Sequence, residues 1–597
     1  MRKIAGDAKN IRELLSGAKY SIDYFQREYR WETKQITELL NDFANKFLEN
    51  YEAGSERTAV ERYGHYFLGS IIISEKDGQK YLIDGQQRLT SLTLLLIFLH
   101  HKLEDEEQRR QIADLIFSQR YGKRSFNLNV PEREPAMDAL YSGTSYDDRE
   151  QTESVANILS RYNDIEENYP NDLSSALPYF TDWMIENVHL VEITAYSDDD
   201  AYTIFETMND RGLSLTPTEM LKGYLLTNIE DLKTRERATD LWRDRIHALK
   251  SHGKDEDADA IKAWLRSQYA DNIRERKAGA SPQDFDLIGT EFHRWVHDHE
   301  EKLQLLTSGS FDRFIEKYFS FYTSQYLRIR HAADNITPGL ECIYYNALNN
   351  FTLQYPLLLA PLQVEDSETE IIRKLKVVSR YVDILTARRI WNFRSIDYST
   401  VQYAMFLVMK EIRNRSGIEV ARILSDKLSE EQEVFANNSR FHLHGGNRRQ
   451  IRRILARFTA YLEAACGLPV HFTEYVQRRR RDGFEVEHIW ANHPERHIDE
   501  FQHGADFQEF RNRMGGLLLL PKSFNASYGD LEYEEKLKHY RGQNILAQSF
   551  CKDTYSHNPA LRRFLDSSSL PFQAHDRFKR ADVEERTALY QKLAETI

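Results

Sequence analysis

A hairpin pattern followed by an apolar run predicts a strand–turn–helix unit in the first hundred residues. Residues 66–73 (YFLGSIII) are apolar and rich in β-branched side chains, Asp77-Gly78 is a two-residue turn signal, and residues 81–83 form the return strand. Residues 89–99 (LTSLTLLLIFL) then predict a buried helix, because their apolar positions are almost continuous. The polar residues 84–88 (DGQQR) therefore lie where a strand ends and a helix begins.

This junction has the chemistry of an anion site. The free N–H groups and the positive dipole at a helix start attract anions such as a nucleotide phosphate. Gly85 permits close approach of the backbone, and Arg88 can donate a forked hydrogen bond to the same anion. Asp84 can hold a metal or position a nucleophile. A purely structural turn is the alternative, and the segment is not a P-loop, because no Gly-Lys-Ser/Thr follows.

A second strand pattern precedes a second polar cluster. Residues 188–194 (VHLVEIT) predict a strand, and residues 205–213 (FETMNDRGL) end in loop chemistry, with Gly212 in the position that follows a helix. Thr216, Pro217 and Glu219 have the spacing of a capping box with proline in the first turn. A new helix is therefore predicted to begin there.

The middle of the chain is predicted to be mainly helical. Apolar residues recur every three to four positions in four stretches, at 241–249, 314–326, 371–385 and 400–412. Residues 438–447 predict a boundary loop. The basic amphipathic helix that follows carries five arginines, for which we weigh a solvated face against a nucleic-acid contact: Arg448, Arg449, Arg452, Arg453 and Arg457.

The last part of the chain changes character again and predicts a β-β-α order. Residues 471–476 (HFTEYV) are strand-like, and a basic run ends at a second Asp-Gly turn. Residues 484–489 (FEVEHI) alternate strictly, residues 517–520 are four leucines before a proline, and residues 533–540 predict a helix. Polar residues lie at the junctions between these elements.

Those polar residues include the groups needed for metal-assisted hydrolysis of a phosphodiester. A carboxylate (Glu487) and an amide oxygen (Asn525) can hold a hard cation such as Mg²⁺. A neutral imidazole (His488) can take the proton from an attacking water, and nearby basic side chains can contact DNA phosphates. A surface hairpin with a chance Glu-His pair is the alternative.

Composition narrows the class of protein. The chain has 597 residues, enough for several domains, and a formal net charge of −13 argues against attraction of the whole surface to nucleic acid, although a local basic track is compatible with it. Three widely separated cysteines fit neither a zinc site nor a disulfide framework. The chain has no signal-peptide pattern and no apolar run long enough to span a bilayer, so we expect a cytoplasmic protein with no membrane partner.

Three N-terminal motifs and one C-terminal constellation together resemble a known family. The motifs are residues 83–90 (IDGQQRLT), 26–31 (QREYRW) and 205–212 (FETMNDRG), and the constellation is residues 486–489 (VEHI), 514–520 (MGGLLLL), Asn525 and Lys536. They resemble, in the same order along the chain, the GmrSD-type restriction endonucleases, which are type IV, modification-dependent enzymes. They are also similar to SspE-type phosphorothioate-sensing defence proteins.

The resemblance implies a multidomain α+β fold in three parts. Residues 1–230 would form a ParB/sulfiredoxin-like α/β domain that binds and hydrolyses a nucleoside triphosphate. Residues 231–465 would form a mainly helical middle, and residues 466–597 an HNH-like ββα-metal nuclease that nicks or cuts modified or phage DNA in defence. The cofactors would be Mg²⁺ or Mn²⁺ and an NTP whose base is left open, and self-association is also left open.

The same resemblance assigns roles to individual residues. His488 and Asp84 would be catalytic, and Glu487 and Asn525 would bind the metal. The nucleotide site would comprise Gln26, Arg27, Tyr29, Asp84, Gly85, Gln86, Gln87 and Arg88. Independently of the resemblance, the basic residues near this unit are the predicted DNA contacts: Arg478, Arg479, Arg480, Arg481 and Lys536. For Tyr29 and Trp31 the alternative of core aromatics is the one we favour.

One departure from the family pattern bears on activity. HNH-like domains usually carry Gly-Asn-Leu before the apolar strand, where the Asn orients the catalytic histidine, whereas this chain has Gly516 at that position. Another residue must then orient His488, and Asn512 is a nearby candidate. Two alternatives follow: a nucleotide-switched DNA-binding regulatory protein with a weak or inactive nuclease domain, or a helical scaffold with only a shallow resemblance.

Overall fold

The computed structural model describes residues 5–22, 29–76, 79–120, 123–146, 153–195, 216–275, 277, 279–477 and 483–597. The chain forms two compact units, one made of Met1–Thr239 with Val296–Asp312 and the other of Asp240–Trp295 with Arg313–Ile597. The architecture is mixed α+β, as the sequence patterns predict. The three-part division at residues 230 and 465 stays a prediction.

A mixed sheet of six strands organises the first unit. Its order is β1-β8-β3-β4-β2-β7, with β1 at Ala5–Asn10, β2 at Tyr20–Ile22, β3 at Tyr66–Lys76, β4 at Gln79–Asp84, β7 at Leu128–Asn129 and β8 at Val188–Ala195. β3 and β4 are antiparallel, which confirms the predicted hairpin, and β3 pairs in parallel with β8. A separate hairpin joins β5 (Phe117–Arg120) to β6 (Lys123–Phe126).

Helices surround this sheet, and the most buried of them follows β4. The helix Gln86–Lys102 has no exposed residue from position 89 to position 99, which confirms the predicted buried helix. A capping box of Thr216 and Glu219, with Pro217 in the first turn, begins the helix Pro217–Thr227 as predicted. The other helices of this part are Ile11–Leu15, Thr33–Leu48, Glu106–Ile116, Glu134–Ser142, Glu153–Asn168, Asn171–Ser174 and Leu177–Asn187.

Every regular element described between positions 217 and 434 is helical. The four predicted helical stretches are confirmed, although residues 314–319 form a π-helix that continues into the helix Ser320–Asp334. The α-helices after Pro217–Thr227 are Leu232–Lys250, Glu256–Tyr269, Asp284–Asp298, Glu300–Leu303, Ser308–Arg313, Ser320–Asp334, Glu341–Leu348, Gln354–Leu359, Glu368–Trp391, Tyr398–Ile412 and Gly417–Glu430.

The predicted basic helix forms at Arg448–Ala465, with Arg448 and Arg449 exposed and the other three arginines in internal contacts. Arg457 forms a two-bond ion pair with Asp383, at 2.7 and 2.9 Å. Arg453 donates to the side chain of Asn349, and Arg452 donates to the carbonyl of Tyr475. These three arginines therefore hold the helix in place, which is neither of the two roles weighed from the sequence.

The C-terminal part contains the predicted pair of strands. β9 (Phe484–His488) and β10 (Leu517–Pro521) are antiparallel, with His488 opposite Leu517 and Glu487 opposite Leu518. The helices Lys522–Tyr528 and Tyr533–Tyr540 follow β10. The remaining helices are Gly504–Asn512, Ile545–Gln548, Lys552–His557, Pro559–Ser568 and Arg580–Thr596.

One predicted strand is wrong. Residues 471–476 are strand-like in sequence, but Phe472–Val476 is a short helix that packs against the helix Arg448–Ala465. Phe472 and Tyr475 are both buried, and a spacing of three residues puts them on one face of a helix, whereas it would put them on opposite faces of a strand. The tertiary contacts of these two rings outweigh the local preference of the β-branched and aromatic residues.

Within the described residues, no helix combines the length and the apolar character that a bilayer crossing requires.

Candidate active sites

The turn between β4 and the helix Gln86–Lys102 depends on a glycine. Gly85 has a φ of 93°, in the left-handed region, and a Cβ at this position would lie 2.4 Å from Cγ2 of Ile71. Position 85 therefore accepts only glycine, because a side chain there would be strained in its backbone conformation and would clash with Ile71. Gly85 is the N-cap residue and supplies no side-chain cap, so the helix start is formed by backbone alone.

Asp84 and Arg88 lie on either side of this glycine. Nη1 of Arg88 donates to the carbonyl of Ser70 at 2.8 Å and lies 3.9 Å from Oδ2 of Asp84. Burial raises the pKa of Asp84, an effect that the charge of Arg88 partly offsets. Both side chains remain about one-third exposed (36% and 30%), so a carboxylate and a guanidinium are accessible at one helix start.

Gln87 joins this turn to the second motif. Its Oε1 accepts hydrogen bonds from the backbone N–H groups of Arg30 and Trp31, at 2.9 and 3.2 Å. The Arg30 guanidinium forms an ion pair with Glu219, which lies in the capping box just after the third motif. The structure thus brings residues of the first two motifs, and the helix that follows the third, into one place.

Gln86 and Tyr29 have supporting positions. Oε1 of Gln86 accepts from Nη2 of the buried Arg133 at 3.3 Å, and Arg133 also donates to Thr90 and Ser154. Tyr29 is fully buried, and its hydroxyl is 2.7 Å from that of Ser91, so Tyr29 is a core residue and not an exposed nucleotide contact. Arg133 was missed by the motif argument because it lies outside every motif. Gln26 and Arg27 are outside the described residues.

His488, at the end of β9, is oriented by an asparagine. Its Nε2 is 2.8 Å from Oδ1 of Asn512, the last residue of the helix Gly504–Asn512. Because Oδ1 accepts, Nε2 carries the hydrogen, and Nδ1 is left with its lone pair. Burial, the main cause, and the charge of Arg511 lower the pKa of His488 to about 3. The imidazole is therefore neutral at physiological pH, as a general base must be.

The backbone explains why the orienting asparagine is at position 512 and not at position 516. A Cβ on Gly516 would lie 2.9 Å from the carbonyl oxygen of Arg511, and one on Gly515 would lie 2.2 Å from the carbonyl oxygen of Val583. The short 3₁₀ turn Met514–Gly516 is thus packed too closely for side chains. Asn512 makes the contact from the preceding helix.

Glu487 is paired with Lys536, and the structure corrects the role predicted for the lysine. Nζ of Lys536 is 2.6 Å from Oε1 of Glu487 and donates to the carbonyl of His488 at 2.9 Å. Burial raises the pKa of Glu487 and lowers that of Lys536, and each partner partly offsets the effect on the other. Lys536 is 0% exposed, so it cannot contact DNA from this position and instead holds β9 in place.

Asn525 is the other predicted metal ligand. It lies on the helix Lys522–Tyr528, which packs against β9 and β10, and its Oδ1 is buried with no hydrogen-bond partner among the described residues. An orphaned amide oxygen of this kind fits a ligand of a hard cation. Among the described residues, no group of three or more His, Cys, Asp or Glu side chains has the arrangement of a metal site.

Arg511 is a residue that the motif argument missed. Its Nε donates to the carbonyl of Trp490 at 3.0 Å, and its charge acts on both His488 and Glu487. Burial lowers the pKa of Arg511. An arginine beside a general base is suited to a phosphate, and its place next to Asn512 in sequence is the signal that could have found it. The predicted DNA contacts Arg478–Arg481 lie outside the described residues.

Two family models match the chain, one at each end. Residues 11–226 match the N-terminal domain of the GmrSD restriction endonuclease, and residues 428–593 match the C-terminal domain of GmrSD restriction endonucleases. The chain belongs to the GmrSD restriction endonuclease family. The first match contains the Asp84–Arg88 turn and the second contains His488, Asn512 and Asn525. No curated protein matches the chain.

Membership of this family supports a restriction endonuclease, and therefore an enzyme with DNA as its partner.

Proposed function

We propose that this protein is a metal-dependent DNA endonuclease, regulated by or dependent on nucleoside triphosphate hydrolysis, that acts on modified or foreign DNA in anti-phage defence. The observation that carries the nuclease half is the hydrogen bond between His488 and Asn512. It supports a neutral imidazole with a fixed ring orientation at the end of a strand. In this proposal the C-terminal part is an HNH-like ββα-metal domain and the N-terminal part a ParB-like nucleotide domain.

His488 is the general base in this mechanism. Nδ1 accepts a proton from the attacking water as the water oxygen bonds to phosphorus and the opposite P–O bond breaks. Asn512 holds Nε2 so that Nδ1 stays unprotonated and keeps one direction. Arg511 contributes positive charge near the phosphate, where negative charge develops as the reaction proceeds.

One divalent cation, Mg²⁺ or Mn²⁺, would be held by Asn525 and Glu487. The fit rests on the orphaned Oδ1 of Asn525 and on the carboxylate of Glu487, whose Oε1 is taken by Lys536, which leaves Oε2 for the cation. When bound, the cation supplies Lewis-acid stabilisation of the phosphate and its leaving oxygen.

The nucleotide would bind at the turn Asp84–Arg88. Arg88, fixed by the carbonyl of Ser70, offers its charge beside the start of the helix Gln86–Lys102, whose free N–H groups suit a phosphate. Asp84 is the candidate for positioning the water that attacks the terminal phosphate. Gln86 holds the turn to Arg133 by a hydrogen bond, and Gln87 holds it to the backbone of Arg30 and Trp31.

A nucleotide-switched DNA-binding protein with a weak nuclease is the second candidate, because Gly516 stands where the family pattern has asparagine. The contact from Asn512 supplies the missing orientation and favours an active nuclease.

One experiment tests both halves. The full-length protein and its His488→Ala and Arg88→Ala variants are incubated with plain and modified phage DNA, with each NTP and with Mg²⁺ or Mn²⁺. We expect His488→Ala to hydrolyse NTP but not to nick DNA, and Arg88→Ala to lose NTP hydrolysis. Undiminished nicking by His488→Ala overturns the nuclease assignment. DNA binding by the unmodified protein without cleavage under every condition supports the second candidate.

A further inference from the structure

The helical part of the second unit contains a cavity of about 740 Å³ that none of the motifs reaches. Residues from the helices Glu256–Tyr269, Asp284–Asp298 and Ser320–Asp334, and from residues 347–356, line it. Its volume is within the usual range for sites that hold a small organic ligand, which is roughly 300–1,000 Å³. The polarity of its wall decides what kind of ligand it fits.

Most charged groups on the wall already have partners. Glu256 accepts hydrogen bonds from Arg330, at 2.8 Å, and from the hydroxyl of Tyr326, at 2.7 Å. Arg330 also pairs with Asp334 at 2.6 Å, and Lys262 is 3.5 Å from Asp259. Three carboxylates and two cations of the wall are therefore held in mutual contacts.

Gln354 is different, because it is fully buried and its amide has no partner among the residues that the structure describes. It is 0% exposed, it lines the cavity, and neither Nε2 nor Oε1 has a hydrogen-bond partner among the described residues. A buried polar atom without a partner costs free energy, so two such atoms on one side chain make it a candidate for pairing with a ligand. The pair offers one donor and one acceptor side by side.

Arg266 supplies a positive charge on the same wall. Its Nε donates to the carbonyl of Phe285 at 2.9 Å and its Nη1 is 3.4 Å from the hydroxyl of Tyr398, yet within the described residues no carboxylate forms an ion pair with it. Gly289 makes room for this guanidinium, because a Cβ there would lie 2.0 Å from Nη2. The guanidinium is therefore positioned for an anion.

We propose that this cavity binds a nucleobase together with its phosphate: Gln354 pairs with the base edge, Arg266 contacts the phosphate, and the rings of Tyr355 and Tyr398 give aromatic surface on the lining. Every nucleobase presents a donor beside an acceptor on its pairing edge, which an amide can match with two hydrogen bonds. The choice of a nucleobase over another planar amide rests on the proposed function, whose substrates are DNA and a nucleotide. The base can come from a free nucleotide or from an unstacked position in DNA.

The test uses the full-length Arg88→Ala variant, so that the proposed N-terminal nucleotide site does not contribute. Calorimetry measures binding of dAMP, dCMP, dGMP and dTMP, with deoxyribose phosphate as the baseless control. In a second arm, fluorescence follows a duplex that carries 2-aminopurine opposite an abasic site. Saturable binding in the first arm shows that the cavity takes its base from a free nucleotide. Saturable binding in the second arm shows that it takes an unstacked base of DNA.

The decisive variant is Gln354→Met, which keeps the shape of the side chain and removes both unsatisfied polar atoms. We expect at least about tenfold weaker binding of the base with an unchanged or higher Tm, because an apolar replacement relieves the desolvation cost. Gln325→Met is the matched control, since Gln325 is buried, is not on the cavity lining, and has an Oε1 with no hydrogen-bond partner in the part of the chain that the structure describes.

The proposal requires binding, in at least one arm, that Gln354→Met weakens and Gln325→Met does not. Without such binding in either arm the proposal is wrong. A loss of Tm without any change in binding also overturns it, because Gln354 would then serve packing. Failure of NTP hydrolysis or of nicking in the unmodified protein would count against the proposed function and would leave this measurement interpretable.

Discussion

Nε2 of His488 and Oδ1 of Asn512 are 2.8 Å apart, although the two residues come from a strand and from a helix 24 positions away. This contact fixes the ring of the candidate general base. It also compensates for Gly516, which is packed too tightly against Arg511 to carry a side chain.

Replacement of Asn512 by alanine should therefore impair cleavage more than folding. Without the acceptor, the imidazole loses its orientation and its tautomer, and we expect nicking to fall by roughly 10²-fold. Asn512→Asp keeps an acceptor and should retain most of the activity near neutral pH. Rates of plasmid nicking measured with Mn²⁺ test this, and full activity in Asn512→Ala would show that the contact has no catalytic value.

The buried pair of Glu487 and Lys536 should behave as a unit. Lys536→Met leaves the carboxylate buried without its partner, and we expect it to destabilise the protein by about 3–5 kcal/mol. The double variant Lys536→Met/Glu487→Gln removes both charges and should recover much of that stability. Thermal unfolding measures the coupling.

Nicking by the same variants separates stability from metal binding. We expect Glu487→Gln and the double variant to need a higher Mg²⁺ concentration, since both lack the proposed ligand. If the double variant regains both stability and activity, Glu487 is structural only.

The sequence predicts most of these elements and few of their contacts. The hairpin of β3 and β4, the buried helix Gln86–Lys102 and the pair of β9 and β10 follow from local periodicity, so each could be placed from the sequence. The short helix around Phe472 could not be predicted from the sequence. A six-residue stretch of mixed polarity fits a strand as well as a helix until its neighbours are known.

The same limit applies to the candidate sites. His488 and Gly85 belong to motifs, but Lys536 was assigned to DNA because its charge was known and its burial was not. Arg133 and Arg511 were missed because their roles arise from residues distant in sequence. Gln354 has no motif at all, and only its unpaired amide in a cavity distinguishes it from other buried glutamines.

Gly85→Ala should damage the N-terminal turn in two ways. A φ of 93° is unfavourable for alanine, and its methyl group would meet Ile71 at 2.4 Å. We expect a loss of about 1–3 kcal/mol from backbone strain, with further loss from the steric clash, and NTP hydrolysis should fall with it. Gly6→Ala in β1 is the control, because the nearest atom to a Cβ there is 3.9 Å away. Equal Tm values for the two variants would contradict the strain argument.

Gln87→Leu should uncouple the turn from the Arg30–Trp31 segment. The substitution removes the acceptor of one exposed and one part-buried backbone N–H group, and we expect a cost of about 1 kcal/mol together with slower NTP hydrolysis. Gln79→Leu is a suitable control, since Gln79 is exposed at the start of β4 and its amide oxygen contacts only the hydroxyl of Tyr81 among the hydrogen bonds described. Turnover of NTP and thermal unfolding are both measured. Normal turnover in Gln87→Leu would remove this link from the mechanism.

The pH dependence of cleavage should reveal the environment of His488. Its pKa of about 3 lies below the ordinary value of 6.5, mainly because of burial, so the neutral base is populated throughout the range from pH 5 to pH 8. The unfolded state takes up the proton more readily than the folded state. The stability that the neutral His488 contributes is therefore present above pH 6.5 and is lost as the pH falls from 6.5 towards 3.

Arg511→Gln removes a positive charge that lowers the pKa of His488, so this pKa should rise and the acidic limb of the nicking rate should move to higher pH. Arg563→Gln, an exposed arginine of the same C-terminal part, should leave the limb in place. The neutral form of His488 still predominates at pH 5 in both proteins, so kcat/KM is measured from pH 3.5 to pH 7.5 to locate the acidic limb. A smaller kcat/KM with an unchanged limb would mean that Arg511 contacts the phosphate but does not tune the base.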